Sequence, residues 1–564
     1  MAGLFEQAEL LLAGIQKDAA SLTLVDAERL LSLLRSSVSS AGTIRNSHIP
    51  IHQFPDEILA LIFGHVPSIK LDAHTDDQNW NWSLVVLDEL VPITLVCRRW
   101  HDVAISRSRL WTIINVFREF SPKHEVYLRR AGTAPLICRL FLIQDDERST
   151  LDFLGAYHEQ IRELQLLVPF VWDGEVSALL RFPMPSLEQV RLQQVMREYG
   201  LDRRSVFNRQ LLFDGCTPRL RKLAIYNISD FPANRFEQLT DLDLRPSMGQ
   251  WIEHTAFLAF LSRCPMLQHL AVRYLHFGPT ASEVLRQQLP HLRTLIIWHA
   301  ETVLACHHLL SSILLPLDVS VAVTFPPLRD VAEVTNLHGS TMGLCKGVTR
   351  VSVVFDDRDR IVTVVAMGMA LAHVQFSLQD VPQGPSDWAT VVSWLSPHGY
   401  SVTELWLSFR SHFPLVASYS PDTVAAILER FPSVTSLTVH IDDSARCTSP
   451  GGNDCWLRTA GLFDIPSRVS HLRLCLSHDI APSPGLAAMD VIKSRAQKGN
   501  RLTSLILDLP SVGLVCSTVT SLRGMADVVE IRQSWGCSWM EAPEVYRDPP
   551  HKLWPEWTEV FFWD

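Results

Sequence analysis

The chain has 564 residues, too many for one compact core, and this length predicts several domains or one elongated domain of repeating units. Apolar residues make up 47% and charged residues 20%, which is the composition of a folded protein and excludes a disordered one. The net charge of −10 is spread along the chain and gives no reason to expect nucleic acid or a membrane as a partner. Two isolated arginine pairs, Arg98-Arg99 and Arg129-Arg130, are interpreted as solvated helix faces.

Targeting signals and cysteine usage predict the compartment. The N-terminus carries Glu6 and Glu9 where a secretory signal would need Lys or Arg before an apolar run. The longest apolar stretch, 309–325, is interrupted by Pro316 and Asp318, so we expect a buried helix and strand there rather than a membrane span. Eleven cysteines without any CxxC pair favour thiols in a reducing compartment. These features predict an intracellular protein, cytoplasmic, nuclear or both.

Residues 1–47 repeat apolar side chains at helical spacing. Gly14 and the stretch 36–42 interrupt the pattern, so two short helices followed by a linker are expected. We interpret the helices as a hairpin that packs on the next module, and a short coiled coil is the alternative. The two apolar stripes consist of Leu4, Ala8, Leu11 and Ile15, and of Leu30, Leu31, Leu34 and Val38.

Residues 48–118 contain two amphipathic helices with distinctive sequences. The first reads FPDEILALIF at 54–63, where a proline and two acidic residues suit the positive end of the helix dipole. The second reads LVCRRWHDVA at 95–104, and the pair LW follows at 110–111. About thirty residues separate the two helices, including an acidic and tryptophan-rich piece at 76–82.

These two helices, in this order, resemble the F-box, in which an L/F-P-x-E-I/L helix precedes a VCRxW helix. The segment YLRRAGTAPL at 127–136 extends the resemblance to fungal F-box proteins. The resemblance implies that the module docks on the Skp adaptor of a cullin–RING ubiquitin ligase, although its insert is longer than F-boxes usually have. Some of the matching residues must also form the core of the module. The implied Skp-docking residues are Phe54, Pro55, Ile58, Leu59, Ile62, Leu95, Val96, Cys97 and Trp100.

From 119 to 540 the chain repeats apolar residues at positions i, i+3 and i+5. Positions i+3 and i+5 point the same way on a short strand, so both are expected to face the core. Helix-like stretches at 257–264, 281–289 and 423–431 each stop before a proline, which ends a helix. The anchors at i are Ile161, Leu187, Leu220, Leu239, Leu267, Leu292, Val348, Leu371, Val402, Val434, Val469 and Leu502, with a weaker unit at Pro316-Val319-Val321.

This pattern resembles the leucine-rich repeats that follow many F-boxes. The asparagine or cysteine that usually follows the last leucine is absent from nearly every unit. The resemblance therefore implies an α/β fold in which a helical F-box module precedes an irregular leucine-rich-repeat solenoid, with parallel strands on its concave face and helices on its convex face. Residues 541–564 are interpreted as a tryptophan-rich tail.

In a leucine-rich repeat, the residues between the inward-facing positions point to the open concave side. Here those positions carry Tyr, Trp and Arg side chains, the types that dominate interface energetics. An unknown target protein is the expected partner, and the alternative is that a loop or the tail covers this face. The candidate target-binding residues are Arg191, Tyr226, Arg245, Arg273, Trp298, Trp406, His440 and Arg473.

Groups that could carry chemistry are few. Cys306-His307-His308 lies near His299 and Glu301, but without HExxH or paired CxxC spacing it predicts a structural or surface role. The charged run 356–360 is interpreted as solvated, and no G-x-S-x-G elbow is present. The sequence therefore predicts no catalysis, no cofactor and no bound metal.

We expect the chain to be a substrate adaptor that holds a target near the catalytic subunits of the ligase, so that proximity supplies any rate gain. The alternative is a ligase-independent interaction scaffold in which a degenerate F-box only caps the solenoid, and the long insert favours it. A hydrolase built on a solenoid is a third class, for which the sequence offers no convergent set of acids.

Overall fold

A computed structural model shows the chain as two compact units. The first consists of Met1–Val116 and Phe120–Arg139, and the second of Phe117–Glu119 and Leu140–Asp564. The structure describes residues 2–66, 69–71, 83–85, 87–116, 120–141, 147–168, 180–194, 211–228, 231–246, 252–274, 276–277, 286–298, 303–316, 318–325, 328, 347–356, 361–368, 371–377, 390, 392, 400–411, 423–443, 465–476, 495–509, 524 and 526–533. The predicted tail at 541–564 lies outside them.

The first unit is mainly helical. Its helices are α1 (Ala2–Asp18), α2 (Leu24–Ser47), α3 (Asp56–Gly64), α4 (Leu90–Thr94), α5 (Arg98–Ser106) and α6 (Pro122–Ala131). Short 3₁₀ turns occur at Pro50–Gln53, Leu87–Glu89 and Ser108–Trp111. Its strands are β1 (Ile69–Leu71), β2 (Ser83–Val85) and β3 (Ile113–Val116), and β4 (Leu136–Phe141) begins in it.

Helix α2 is longer than the sequence predicts. The side chain of Thr23 caps its start by accepting from the backbone N–H of Asp26. The linker expected at 36–42 is instead helical, because Ser37, Ser40 and Thr43 donate to the carbonyls four residues earlier and so satisfy their hydroxyls within the helix. The interpretation of this stretch as a linker was wrong.

The core of the first unit is built around Trp111. Its indole N–H donates to the carbonyl of Ala104 at 2.8 Å, and Cζ of Arg130 lies 4.2 Å from its ring centroid. Arg130 is therefore not a solvated arginine as interpreted from the sequence, whereas its neighbour Arg129 is exposed. Leu59, Phe63 and Leu90 are fully buried with Trp111 in the core.

The insert between α3 and α4 contains a short ribbon. Strands β1 and β2 pair antiparallel, with Lys70 opposite Leu84. Helix α3 nevertheless packs on α5, and α4 packs on α5. The insert thus does not separate the two helices that carry the sequence signature.

The second unit is α/β. Its helices are α7 (Glu147–Tyr157), α8 (His254–Leu261), α9 (Val303–Ser312) and α10 (Thr423–Glu429). Its strands are β5 (Ile161–Val168), β6 (Gln189–Gln194), β7 (Lys222–Ile228), β8 (Asp241–Pro246), β9 (His269–Arg273), β10 (Gln287–Gln288), β11 (Thr294–Trp298), β12 (Ile313–Leu314), β13 (Ser320–Thr324), β14 (Arg350–Asp356), β15 (Ile361–Met367), β16 (Leu371–Ser377), β17 (Glu404–Ser411), β18 (Ser436–Asp443), β19 (His471–Leu476), β20 (Leu502–Leu509) and β21 (Ala526–Gln533).

The apolar repeat sets the strand register. Strands β5–β9, β11 and β13 pair in parallel, as do β14 and β17–β21. Position i+3 of one unit lies opposite i+3 of the next, as Leu223 does opposite Leu242, and Ile225 lies opposite Leu244 at i+5. All four are buried. A strand shifted by one residue would expose this row, so the pattern fixes the pairing.

One backbone motif recurs at the residue after eight of the anchors. The carbonyl of this residue accepts the N–H groups of the next unit's residues at i+1 and i+2, at 2.7–3.2 Å. In three successive units the side-chain hydroxyl of the residue at i+1 makes a further bond. Thr403, Thr435 and Ser470 each donate to the i+1 carbonyl of the preceding unit in the sheet, at 3.3–3.4 Å. The accepting residues are Glu188, Arg221, Thr240, Gln268, Thr349, Thr403, Thr435 and Ser470.

The sheet departs from the expected all-parallel arrangement at its centre. Strand β15 runs antiparallel to both β14 and β16, and β16 rather than β14 pairs with β13. At the turn after β15, a Cβ on Gly368 would lie 2.5 Å from the carbonyl oxygen of Gly347, so this reversal needs glycine. The β14–β16 meander replaces the helical connection expected of a regular repeat.

Two further expectations are corrected. In the weak unit, Val321 and Val323 lie opposite Leu295 and Ile297, so they occupy i+3 and i+5 in place of Val319 and Val321. The buried residue that serves as the anchor is Val319 and not Pro316. The predicted helix at 281–289 is not helical in its described part, because residues 287–288 form β10, which pairs with β12. Helices α8 and α10 and the helix and strand predicted within 309–325 are confirmed.

Within the described residues, no helix is both long enough and apolar enough to cross a bilayer.

Candidate functional site

Arg99 joins the two helices of the 48–118 module. Its Nε and Nη2 donate to Oδ1 of Asp56 at 3.0 and 2.7 Å, and Nη2 also donates to the carbonyl of Phe54 at 2.6 Å. Its Nη1 donates to the carbonyl of His52. The planar guanidinium thus holds the segment leading into α3 against the first turn of α5. The interpretation of Arg99 as a solvated arginine was wrong, whereas Arg98 is exposed.

Two further contacts support this junction. The Trp100 ring lies 5.1 Å from the ring of Phe63 and 5.5 Å from that of His52. Arg107 at the end of α5 donates to Glu57 at 3.0 Å. The pKa of Glu57 is lowered, first by its own backbone hydrogen bond at the helix start and then by Arg107.

The structure divides the nine candidate docking residues between core and surface. Leu59 is fully buried, so it belongs to the core and cannot contact a partner directly. Phe54, Ile58, Leu95 and Val96 are large apolar side chains with 39–78% of their surface exposed. Pro55 is exposed as well, while Ile62, Cys97 and Trp100 are half-buried.

Five of the exposed apolar residues of the module make up what we call the docking patch. Phe54 lies just before α3, Ile58 and Leu61 lie within it, and Leu95 and Val96 lie just before α5. Arg99 ties the segment that carries Phe54 and the start of α3 to α5, which directly follows Leu95 and Val96. Sequence matching missed Leu61, which is 64% exposed and lies between the matched residues. Exposed apolar residues of this kind are typical of interaction sites, so the patch is a candidate site.

The candidate target-binding residues lie on the side of the sheet opposite its apolar rows, which we call the outward face. Arg191, Trp406 and Arg473 occupy position i+4 of their units. The other five, namely Tyr226, Arg245, Arg273, Trp298 and His440, occupy position i+6. Strand pairing places Tyr226 opposite Arg245, and Arg273 opposite Trp298.

The first cluster on the outward face is built around Asp243, which sequence reasoning missed. This carboxylate is fully buried and accepts the hydroxyl of Tyr226 at 2.8 Å and Nη2 of Arg273 at 3.4 Å. Burial, and then the charge of Asp243, raises the pKa of Tyr226 to about 12, so its hydroxyl stays protonated and donates. The only sequence signal for this site is the segment LDLRP at 242–246, in which the outward residues Asp243 and Arg245 alternate with inward-facing leucines.

Three arginines in this first cluster lie against aromatic rings. The Cζ–centroid distances are 5.4 Å for Arg191 on Tyr226, 5.0 Å for Arg245 on Tyr274 and 4.5 Å for Arg273 on Trp298. Burial lowers the pKa of Arg245. Tyr274 has a left-handed backbone, with φ of 52°, and its N–H donates to the carbonyl of Trp298. The rings thus orient the guanidinium groups on this face.

The second cluster spans β17–β20. Strand pairing aligns four polar residues in one row, and Ser408 Oγ lies 2.8 Å from Nδ1 of His440. Ser408 and His440 are both fully buried, so a substrate cannot reach the hydroxyl and the pair is structural. The four residues of the row are Ser408, His440, Cys475 and Asp508.

Asp508 anchors an arginine at the edge of this row. Arg473 donates to it through Nε at 2.6 Å, and the Cys475 thiol donates at 3.1 Å. Burial is the largest single influence and opposes the charge of Arg473, but the hydrogen bond to Asp508 and the charge interactions with Cys475 and Asp508 together outweigh it, so the pKa of Arg473 is raised. Cζ of Arg473 lies 5.9 Å from the Trp406 ring, whose N–H donates to Glu404.

Burial divides the eight outward candidates. Tyr226, Arg245, Arg273, Trp406 and His440 are buried and support the surface from beneath. Arg191, Trp298 and Arg473 are half-buried and offer part of their side chains to a partner.

The remaining chemical candidates gain no support as a ligand or catalytic site. Cys306 is buried, and burial raises the pKa of its thiol. His299 and Glu301, which the sequence places near it, lie outside the described residues. Within the described ranges no group of three or more His, Cys, Asp or Glu side chains could hold a metal ion. No protein-family model matches the chain, and no curated protein is detectably similar to it.

Proposed function

We propose that the chain is an F-box-type substrate adaptor whose 48–118 module docks on a Skp-type adaptor of a ubiquitin ligase. The observation that carries the proposal is the docking patch. Its five large apolar side chains are exposed on α3 and on the segments just before α3 and α5, whereas other residues of these two helices are buried, namely Leu59, Phe63, Val103 and Ala104. Arg99 holds the two halves of the patch in one rigid arrangement, which lowers the entropic cost of binding.

The test uses variants that change the patch and leave the core intact. Intact chain carrying Ile58→Asp and Leu95→Asp is co-expressed with the Skp-type adaptor beside the wild type. The matched control is Met266→Asp, which places the same charge on an exposed apolar side chain of the second unit. We expect recovery of the adaptor with wild type and control and its loss with the double variant. Equal recovery with all three would refute the docking proposal.

We further propose that the second unit is an irregular leucine-rich-repeat solenoid. The in-register apolar rows and the carbonyl that recurs after eight of the anchors support this fold. Hydroxyls of Thr403, Thr435 and Ser470, each at position i+1, add further bonds between neighbouring units. Small-angle scattering of the intact chain tests it, since a compact particle of this mass would have a clearly smaller radius of gyration than a solenoid.

The outward face is the proposed target-binding surface. Arg191 and Arg473 present positive charge and Trp298 presents an aromatic ring, so we propose a target segment with acidic and apolar side chains. Proximity labelling with wild type and an Arg191→Glu/Arg473→Glu variant tests this surface. Targets lost only with the variant would support it, and an unchanged set of targets would refute it.

The second candidate is a ligase-independent scaffold with a degenerate F-box. The ribbon of β1 and β2 favours the scaffold function, because it belongs to an insert that makes the module longer than F-boxes usually are. Native mass spectrometry of the chain co-expressed with the Skp-type adaptor separates the two functions. A one-to-one complex supports the adaptor, and a chain that never carries the adaptor supports the scaffold.

A further inference from the structure

We propose that α2 mediates antiparallel dimerisation with a second copy of this chain, independently of the adaptor function. The helix has 24 residues, and none of them is buried. Leu24, Leu31 and Val38 expose 77%, 50% and 72% of their surface. A helix gains most of its stability from packing an apolar face, so this face requires a partner.

The apolar residues of α2 follow a heptad pattern over three successive heptads. Position a is occupied by Leu24, Leu31 and Val38, and position d by Ala27, Leu34 and Ala41. The seam from 24 to 41 is about 26 Å long at 1.5 Å per residue. Val25 and Leu33 stand outside this seam and take no part in it.

Charge selects the orientation of the partner. Position e carries Glu28 in one heptad and Arg35 in the next. In an antiparallel pair, e faces e′ across the seam, so Glu28 of each copy meets Arg35 of the other. The same two-fold axis pairs Leu31 with Leu34, and it pairs each remaining large a residue with an alanine at d. The helix is therefore complementary to itself.

A parallel pair would lack these advantages. Position g carries Leu30 and Ser37, so neither Glu28 nor Arg35 would meet an opposite charge across a parallel seam. The a position of the last heptad is Arg45, and a parallel pair would place two of these arginines together. The sequence and exposure of α2 thus favour the antiparallel copy.

Charge reversal tests the dimer without disturbing the fold of a monomer. Glu28→Arg and Arg35→Glu each create two like-charge contacts per dimer and should raise the dissociation constant about tenfold. An equimolar mixture of the two variants restores both attractive contacts and should form heterodimers as tight as the wild-type dimer. Arg29→Glu at the outer f position is the matched control and should have no effect.

Sedimentation velocity of the full chain over a dilution series gives the result. The expected outcome is a wild-type dimer, weakened by either single reversal and recovered by mixing. A wild-type monomer at every concentration would overturn the proposal, as would reversals without effect or a mixture no tighter than its components. A dimer carries two docking modules and two recognition units, so a target with two binding segments would gain avidity; this consequence rests on the proposed function.

Discussion

Arg99 should decide the local stability of the docking module. Replacing it with alanine removes two charge-assisted bonds to backbone carbonyls and two bonds to Oδ1 of Asp56. A buried hydrogen bond to a charged group contributes about 1.5–3 kcal/mol to stability. The side chain of Arg99 is 39% exposed, however, so solvent screens its ion pair with Asp56 and reduces this contribution. We therefore expect a loss of about 2 kcal/mol, which is roughly thirtyfold in the opening equilibrium.

Hydrogen exchange of the intact chain measures this loss locally. Amides of α3 should exchange roughly thirtyfold faster in Arg99→Ala than in wild type, because they open with the junction. Arg99→Lys should fall between the two, since lysine cannot reproduce the planar fork. Arg98→Ala is the matched control on the neighbouring exposed arginine and should change little. Equal protection of α3 in Arg98→Ala and Arg99→Ala would refute the assigned role.

Three further predictions follow from buried groups. Asp243→Ala should lower the free energy of unfolding of the second unit by about 3 kcal/mol in urea denaturation, because it leaves Arg273 without its carboxylate; a cost below about 1 kcal/mol would contradict this. Burial lowers the pKa of His124, so the first unit should lose stability as the pH falls below about 6.5; His124→Gln should flatten this dependence, and an unchanged slope would count against it. Burial raises the pKa of Cys264 to about 12, so exposed Cys216 should react with a thiol reagent first, by peptide mapping of the native chain; the reverse order would be inconsistent with the fold.

The apolar rows of the sheet were predictable because they depend on local spacing. Two residues at i+3 and i+5 face the same side of any strand, and the structure confirms this for pairs such as Leu223 with Ile225. The prediction was wrong for the weak unit because its anchor, Val319, lies two residues before the first inward-facing strand residue, whereas the anchors of other units lie three residues before it. The alternation alone could not locate Val319 as the anchor.

The outward face was less predictable because its burial depends on neighbouring strands. Asp243 is one residue from Leu242 in sequence, yet its partners come from β7 and β9, seventeen and thirty residues away. The same limit applies to α3, where Ile58 and Leu59 are adjacent apolar residues that the structure assigns to surface and core. The length of helix α2 was predicted wrongly for a different reason. A serine-rich sequence usually favours a linker, but here the hydroxyls of Ser37 and Ser40 donate to carbonyls of the same helix and are compatible with it.

The most direct test of the account is the affinity of the intact chain for a purified Skp-type adaptor, measured by calorimetric titration with wild type and Ile58→Asp. Ile58 exposes an apolar side chain at the centre of the patch, and a charge there would be buried unpaired in a complex. We expect tight one-to-one binding that Ile58→Asp weakens by about a hundredfold or more and that Met266→Asp leaves unchanged. Absence of binding by the folded wild type, or equal affinity of wild type and Ile58→Asp, would contradict it.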